Sequence, residues 1–386
     1  MGDGRAPGAD LSAVTIVTTT RCNQRCSYCC ALGRPAASAP WPAVRAALDR
    51  LLASPAPSVR VAFTGGEPLL ARPVVSRAVT YVDRHRRPGQ SVRLKVQTNG
   101  LLLDDRAAAW LRKHDVHLQV SLDGVREAQD VRSAASFDVV AGRLSWLRER
   151  APDYFDSRVI VAMTLVPEAV PHLADSVAWL TESGVSTIRM APAMDAAPGG
   201  PRLLSRLDRE FAAIFEHSIA HYRRTRRVPL QLFRRGPFRV RPAASRWSCE
   251  APTGRTLAVD ADGAVSTCLL ASETYAASRP LPPALQSAAA ALRVGQANGD
   301  LPGRLRQVAR RAADAQVFSA RRPRHSALRA CSGCEWRDEC VVCPLAVDGV
   351  VGPQRTLRVP ELVCAFNQVT ASWRAQFPVT SPPTGE

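Results

Sequence analysis

Between Arg21 and Cys30 the chain reads RCNQRCSYCC, four cysteines inside nine residues, directly after the apolar run AVTIVTTT. Thiols at that density pair with each other, attack a substrate or hold metal. The N-terminal stretch MGDGRAPGADLSAV has no basic start followed by an apolar core, so no secretory signal is read. A reducing, cytoplasmic setting is expected, where disulfides are rare, and the eleven cysteines are an odd number. Cys22, Cys26 and Cys29 have C-x3-C-x2-C spacing, which lets one compact loop present three thiolates. Three thiolates can hold three irons of a four-iron cube and leave the fourth iron for another ligand, a catalytic arrangement. A zinc or redox loop is the alternative. Cys30 falls outside the spacing and reads as a small buried residue.

The other seven cysteines lie past residue 248: Cys249 and Cys268, then CSGCEWRDECVVC with Cys331, Cys334, Cys340 and Cys343, then Cys364. Two CxxC pairs suggest a zinc ribbon, but closed zinc sites take four ligands each and seven cysteines fit no whole number of them.

These residues need elements to place them. Apolar, β-branched runs at 14–18, 59–64, 92–97, 117–122, 158–166 and 187–192 read as strands. Helical periodicity fills 41–53, 72–85, 104–114, 136–150 and 170–184 between them. Buried-looking strands alternating with helices predict a parallel sheet with right-handed crossovers, here an α/β partial (β/α)6 barrel of TIM type. The cysteine loop then follows the first strand, at the carboxyl ends of the strands where such folds carry their sites. The boundaries expected are a barrel over 14–195, a helical and Pro/Arg-rich connector over 196–246, a small cysteine-rich domain over 247–370 that metal must staple, and a disordered tail over 371–386.

The cysteine loop resembles the cluster loop of radical S-adenosylmethionine (SAM) enzymes. By that resemblance the open iron chelates the amine and carboxylate of SAM, and an electron from the cluster cleaves SAM to a 5′-deoxyadenosyl radical that abstracts a substrate hydrogen. FTGGEP at 63–68 matches the family's GGE motif, so Gly65, Gly66 and Glu67 are expected at SAM, Glu67 on its amino group. VQTNG at 96–100 and VSLDG at 120–124 resemble the peptide-modifying branch and bring Asn99 and Ser121 to the cofactor, with Tyr28 beside the last cysteine of the loop. Arg132 matches an arginine on the SAM carboxylate, although the family's His-Asp-x-x-Arg reads Gln-Asp-Val-Arg here, one residue short.

The pattern C-x13-G-x4-C, then C-x2-C-x5-C-x2-C, then C, resembles the SPASM extension of this family, one residue shorter between Cys340 and Cys343 than the family pattern. That resemblance implies two auxiliary 4Fe–4S clusters, three in all. Cys331, Cys334, Cys340 and Cys364 would hold the outer one, and Cys249, Cys268 and Cys343 the inner one. With no cysteine from Glu250 to Thr267, the inner cluster is expected to have an open site or a non-cysteine ligand.

Auxiliary clusters suit oxidative chemistry, so the leading expectation is a radical SAM oxidoreductase that cross-links or otherwise modifies a ribosomally made peptide. Sulfatase-type maturation is disfavoured because the residue after the G-x4-C cysteine, Asp in that branch, is Leu269. Asp260, Asp262 and Glu250 are the nearby acids that can take a proton. A second expectation is oxidation or epimerisation of an aminocyclitol or sugar. About fourteen residues precede the first strand, so no fused leader-binding domain is expected there; either a separate protein provides one or a short leader binds the SPASM region directly, and a flavodoxin- or ferredoxin-type reductant is expected.

The formal net charge of +17 raises a third, zinc-stabilised nucleic-acid-binding reading. Against it, Lys95 and Lys113 are the only lysines, the arginines are scattered, and few aromatics lie among them. No apolar run is long enough to span a membrane.

Overall fold

The computed structural model describes residues 11–29, 31–194, 199–200, 202–234, 248–278, 280–297, 300–328, 331–351 and 356–378. Cys30 and most of the Pro/Arg-rich part of the connector lie outside them.

The barrel alternates as expected: β1 (Ala13–Thr19), α1 (Trp41–Leu52), β2 (Ser58–Gly65), α2 (Arg72–His85), β3 (Ser91–Thr98), α3 (Asp105–Lys113), β4 (His117–Ser121). It continues with α4 (Arg126–Arg132), α5 (Phe137–Arg150), α6 (Pro152–Arg158), β5 (Val159–Leu165), α7 (Leu173–Glu182) and β6 (Ile188–Pro192). Pairing is parallel throughout, and the register stacks β-branched and aliphatic residues: Val14 beside Val61, Val61 beside Leu94, Val96 beside Leu118, Val120 beside Val161, Val161 beside Ile188. The helices bury one stripe each. In α1 that stripe is Ala43, Val44, Ala47, Leu48, Leu51 and Leu52, the 3.6-residue repeat of a helix lying on a sheet. Asp104 starts α3 by accepting from the Ala107 N–H at 2.7 Å.

The sheet does not stop at six strands. After α8 (Leu203–Thr225) come β7 (Thr256–Val259), β8 (Ala264–Ser266), α9 (Glu273–Ser278), α10 (Pro283–Ala291) and β9 (Arg293–Gln296). β7 joins parallel to the outer edge of β1, and β8 and β9 follow antiparallel, giving nine strands in the order β6-β5-β4-β3-β2-β1-β7-β8-β9. The C-terminal region therefore extends the barrel sheet and covers the free edge of β1. The strands involved are three or four residues long, too short for alternation to show in sequence.

The remaining elements are α11 (Leu301–Asp314), β10 (Arg324–Ser326), β11 (Gly349–Val351), β12 (Thr356–Val359) and α12 (Glu361–Gln376), the three strands forming a small sheet in the order β10-β12-β11.

α12 corrects the expected tail. The helix runs through residues 371–376, and Phe377 after it is fully buried. The reason is an aromatic seam: on α8, Phe211 meets Phe366 and Phe215 meets both Trp373 and Phe377, and Phe377 also stacks on Phe233, past the end of α8, at 4.8 Å between ring centres. The Trp373 indole N–H also donates to Asp208 at 2.9 Å. Residues 379–386 lie outside the described ones.

Candidate active site

The carboxyl ends of β1 to β4 deliver one cluster of side chains. The chain leaves β1 at Thr19 and turns through Cys22, Cys26 and Cys29, with Cys29 N–H bonded back to the Cys26 carbonyl at 3.1 Å. Cys22 and Cys29 are exposed and Cys26 is half-buried. They sense one another. Burial pushes the Cys22 thiol up, and Glu67 and Cys29 add to that. Burial also raises Cys26, opposed by the charge of Arg132.

Two glycines allow the β2 loop to lie against this turn. A Cβ on Gly65 would sit 2.3 Å from the Thr19 carbonyl oxygen, and one on Gly66 would sit 2.2 Å from that of Arg21. The Gly66 and Glu67 N–H groups bond to those same carbonyls, each at 2.8 Å. The close approach that these glycines permit is thus to the root of the cysteine loop, as well as to any ligand over it.

Glu67 departs from its expected place. Its side chain is fully buried. One oxygen accepts from Leu69 N–H at 2.9 Å and from the Thr98 hydroxyl at 2.7 Å; the other accepts from Asn99 N–H at 2.7 Å. Burial raises its pKa against those bonds. The carboxylate is a latch between the ends of β2 and β3. Asn99, which it holds, donates to Asn23 at 2.8 Å and reaches the Cys22 sulfur at 3.8 Å.

Arg132 and Tyr28 meet at Asp123, the acid of VSLDG that is expected at the barrel mouth. Asp123 accepts both Arg132 donors, Nε at 2.9 Å and Nη2 at 2.8 Å, together with Thr164 N–H at 2.7 Å and the Tyr28 hydroxyl. The Arg132 guanidinium lies 5.2 Å from the Tyr28 ring centre. The Ser27 hydroxyl bonds to the Val131 carbonyl at 2.9 Å. The cysteine loop is therefore pinned to the end of β4 and to α4 by a buried ion pair, and the carboxylate charge of Asp123 is what Arg132 faces. Asp123 precedes Gly124 at the end of β4, where the sequence leaves open either a carboxylate at the mouth or a plain turn. Ser121 stands half-exposed at the end of β4, level with Ala162.

The three acids proposed as bases are placed otherwise. Asp260 is buried, paired with Arg34 and bonded by Thr274. Burial would raise its carboxyl, but hydrogen bonds from Ser272, Thr274 and the Ala261 N–H, with the charge of Arg34, hold it below the ordinary range. It joins the segment after the cysteine loop to the C-terminal region. Asp262 is exposed and accepts from Ala264 N–H at 2.9 Å, a turn contact. Glu250 is exposed and its carbonyl closes the turn at Thr253. Asp260 is thus engaged in an ion pair and Asp262 in a turn contact.

The C-terminal cysteines form two groups. Cys268 is pushed up to about 12, by burial and then by Cys343 and Cys249. Burial raises Cys331, with Cys364 and Cys334 adding to it, and raises Cys340, with Cys364 and Cys331 adding. Among the described residues no three acidic, His or Cys side chains converge closely enough for a single ion. Thiolates sharing one zinc at about 2.3 Å must crowd together, whereas a four-iron cluster gives each thiolate its own iron.

A partial α/β barrel with a three-thiol loop over its mouth defines the class. Residues 16–180 match the Radical SAM superfamily model, so that part of the chain carries a radical SAM domain, a fold that supports SAM and a 4Fe–4S cluster as its cofactors. Two relatives are similar within that part. GTP 3′,8-cyclase of Mycobacterium ulcerans is 35% identical over 129 residues, 31% of this chain and 34% of that protein. An uncharacterised protein of Methanocaldococcus jannaschii is 29% identical over 121 residues, 31% of this chain and 41% of that one. The chain thus spans between a third and about two fifths of the length of these curated relatives. Among solved structures, anSMEcpe with bound AdoMet and the Kp18Cys peptide superposes with a TM-score of 0.70 at 15% identity, covering 95% of this chain and 98% of that one. Streptococcus suis SuiB bound to S-adenosylmethionine gives 0.55 at 13% identity, covering 86% and 72%. The fold match therefore takes in the C-terminal region, beyond the part that matches the superfamily model.

Proposed function

We propose that this chain is a radical SAM oxidoreductase of the SPASM type that oxidatively modifies a ribosomally made peptide. What supports the reading is that the ten described cysteines act on one another in three sets, one in the loop after β1 and two in the C-terminal region, in a chain whose fold is shared with anSMEcpe over 95% of its length. Cys22, Cys26 and Cys29 would hold the SAM-binding cluster, Cys249, Cys268 and Cys343 the inner auxiliary cluster, and Cys331, Cys334, Cys340 and Cys364 the outer one.

The mouth suits such a cluster. The Gln24 amide nitrogen, inside the cysteine loop, is buried with no partner among the described residues. A buried donor of that kind asks for an acceptor, and cluster sulfur or SAM carboxylate would supply one. With SAM bound, the cluster supplies a 5′-deoxyadenosyl radical for hydrogen abstraction. The protein's part is positioning. Glu67 holds Asn99 against Asn23, Asp123 holds Tyr28 and Arg132, and the glycine loop offers backbone groups to the ligand.

A peptide substrate is supported by the neighbours: anSMEcpe is seen with a peptide, and SuiB with its precursor peptide SuiA at a TM-score of 0.51. Leu269 at the position after Cys268 favours a reaction other than sulfatase-type maturation. A separate leader-binding protein and a flavodoxin- or ferredoxin-type reductant complete the expected partners.

The test incubates the iron-loaded protein with SAM, dithionite and short peptides encoded beside its gene. Loss of two hydrogens from one peptide, coupled to 5′-deoxyadenosine formation, is the expected result. Turnover of an aminocyclitol or sugar, with every peptide left unchanged, would overturn the peptide reading.

A further inference from the structure

The outer group of cysteines is surrounded by donors that the cysteine pattern does not account for. Cys364 lies in the first turn of α12, and the next turn of that helix carries Asn367 and Gln368. The Gln368 amide nitrogen donates to the Cys364 sulfur at 3.1 Å. The Asn367 amide nitrogen donates to the Cys340 sulfur at 3.4 Å and to the Val341 carbonyl at 2.9 Å. Arg324, on β10, donates to the Cys340 carbonyl at 3.2 Å. Its charge acts on the Cys340 and Cys331 thiols, and that of Arg337 acts on Cys331. β10 pairs with β12, which leads directly into α12, so one frame fixes both the amides and the cation. In the other group, the backbone N–H groups of Leu270 and Ala271 oppose the rise that burial gives the Cys268 thiol.

Taking up one electron, with no proton, adds a unit of negative charge to a cluster and spreads it over the sulfurs. Donors and cations at those sulfurs favour the reduced state over the oxidised one and raise the potential. The two amides lie on helix positions three and four past Cys364, within one turn, which is where a side chain reaches back over a thiolate.

We propose that Asn367 and Gln368 are tuning residues of the outer auxiliary cluster, their amide N–H groups together with Arg324 holding its reduction potential above what the same four cysteines would give among apolar neighbours. This rests on the reading that Cys331, Cys334, Cys340 and Cys364 hold that cluster.

The experiment uses the full chain with Cys22, Cys26 and Cys29 changed to Ala, loaded with iron and sulfide without oxygen, so that auxiliary signals alone titrate. Asn367→Leu and Gln368→Leu are compared with this parent for iron content and by redox titration followed with EPR. The expected result is unchanged iron and one of two signals shifted to lower potential. At a fixed potential its oxidised-to-reduced ratio should rise about tenfold per lost donor, about 59 mV for one electron. Unmoved midpoints in fully loaded variants would overturn the inference and leave the cluster reading intact. A parent that loses no iron when Cys331, Cys334, Cys340 and Cys364 are also changed to Ala would overturn the cluster reading itself. Should leucine cost iron, Gln368→Glu keeps the side-chain length and removes the donor. The same downward shift is expected there, and its absence in a loaded variant counts against the proposal.

Discussion

Asp123→Asn separates pinning of the cysteine loop from mere proximity to it. The Asp123 carboxylate takes four donors: Tyr28 OH, both Arg132 donors and Thr164 N–H. Both Asp123 and Arg132 are buried, at 5% and 7% exposure. An asparagine of the same shape offers one acceptor oxygen, so whichever way the amide turns, an N–H group faces an N–H donor of Arg132 or Thr164. The guanidinium also loses its counter-charge in a buried setting. Removing one partner of such a pair costs about 3–5 kcal/mol. For a barrel of this size that is a fall of roughly 6–20 °C in Tm. Tyr28→Phe removes one hydrogen bond to a charged group and should cost about 1.5–3 kcal/mol. Because the two residues share one bond, the double variant should cost less than the sum of the single ones, by about 0.5–3 kcal/mol. Thermal melts of the four proteins, loaded with iron in parallel, provide the cycle, and loss of iron from the Cys22, Cys26 and Cys29 site should accompany loss of the pin. Strict additivity, or an Asp123→Asn melt within a degree or two of wild type, would refute the reasoning.

Other substitutions probe the remaining contacts. Gly66→Ala places a methyl 2.2 Å from the Arg21 carbonyl oxygen, so it should abolish SAM binding in an equilibrium binding assay while distant Gly142→Ala, which meets nothing within 4 Å, leaves binding unchanged. Asp260→Asn removes the partner of Arg34 and should destabilise the fold by about 3–5 kcal/mol in denaturant melts near neutral pH. The sign follows from the lowered Asp260 carboxyl: its contribution is present above the unfolded-state value, about 3.9, and is lost as pH falls through the lower folded value, so wild type and Asp260→Asn should converge in stability only in strong acid. Phe377→Ala opens the aromatic seam between α8 and α12 and should cost about 3–5 kcal/mol in the same melts, an effect that a disordered tail would not show.

The barrel was legible because its strands and helices are long enough for period to show. The expected helix over 41–53 is observed as Trp41–Leu52, and the expected strand over 92–97 as Ser91–Thr98. The short β7 and β8 gave no such signal, and their place beside β1 depends on which edge the barrel leaves open. Residues 371–376 read as tail because one helical turn beside FPVTSPP carries little pattern; what orders them is packing on α8, a contact across more than 150 positions of chain. At the site, cysteine spacing identified the loop, and GGE identified the strand end beside it. Spacing carries no information on where a carboxylate points, so Glu67 turning inward and Asp123 taking both Tyr28 and Arg132 appear only in three dimensions. Asn367 and Gln368 were one helical turn from Cys364 and could have been found by asking which amides a helical ligand carries with it.

Iron and sulfide counts, made on protein purified without oxygen and reconstituted, test the central claim most directly when wild type is set beside the variant with Cys22, Cys26 and Cys29 all changed to Ala. Three four-iron clusters give about twelve irons in wild type and about eight in the variant, with dithionite-driven SAM cleavage lost in the variant. Zinc in place of iron, with no 5′-deoxyadenosine formed by wild type, would contradict it.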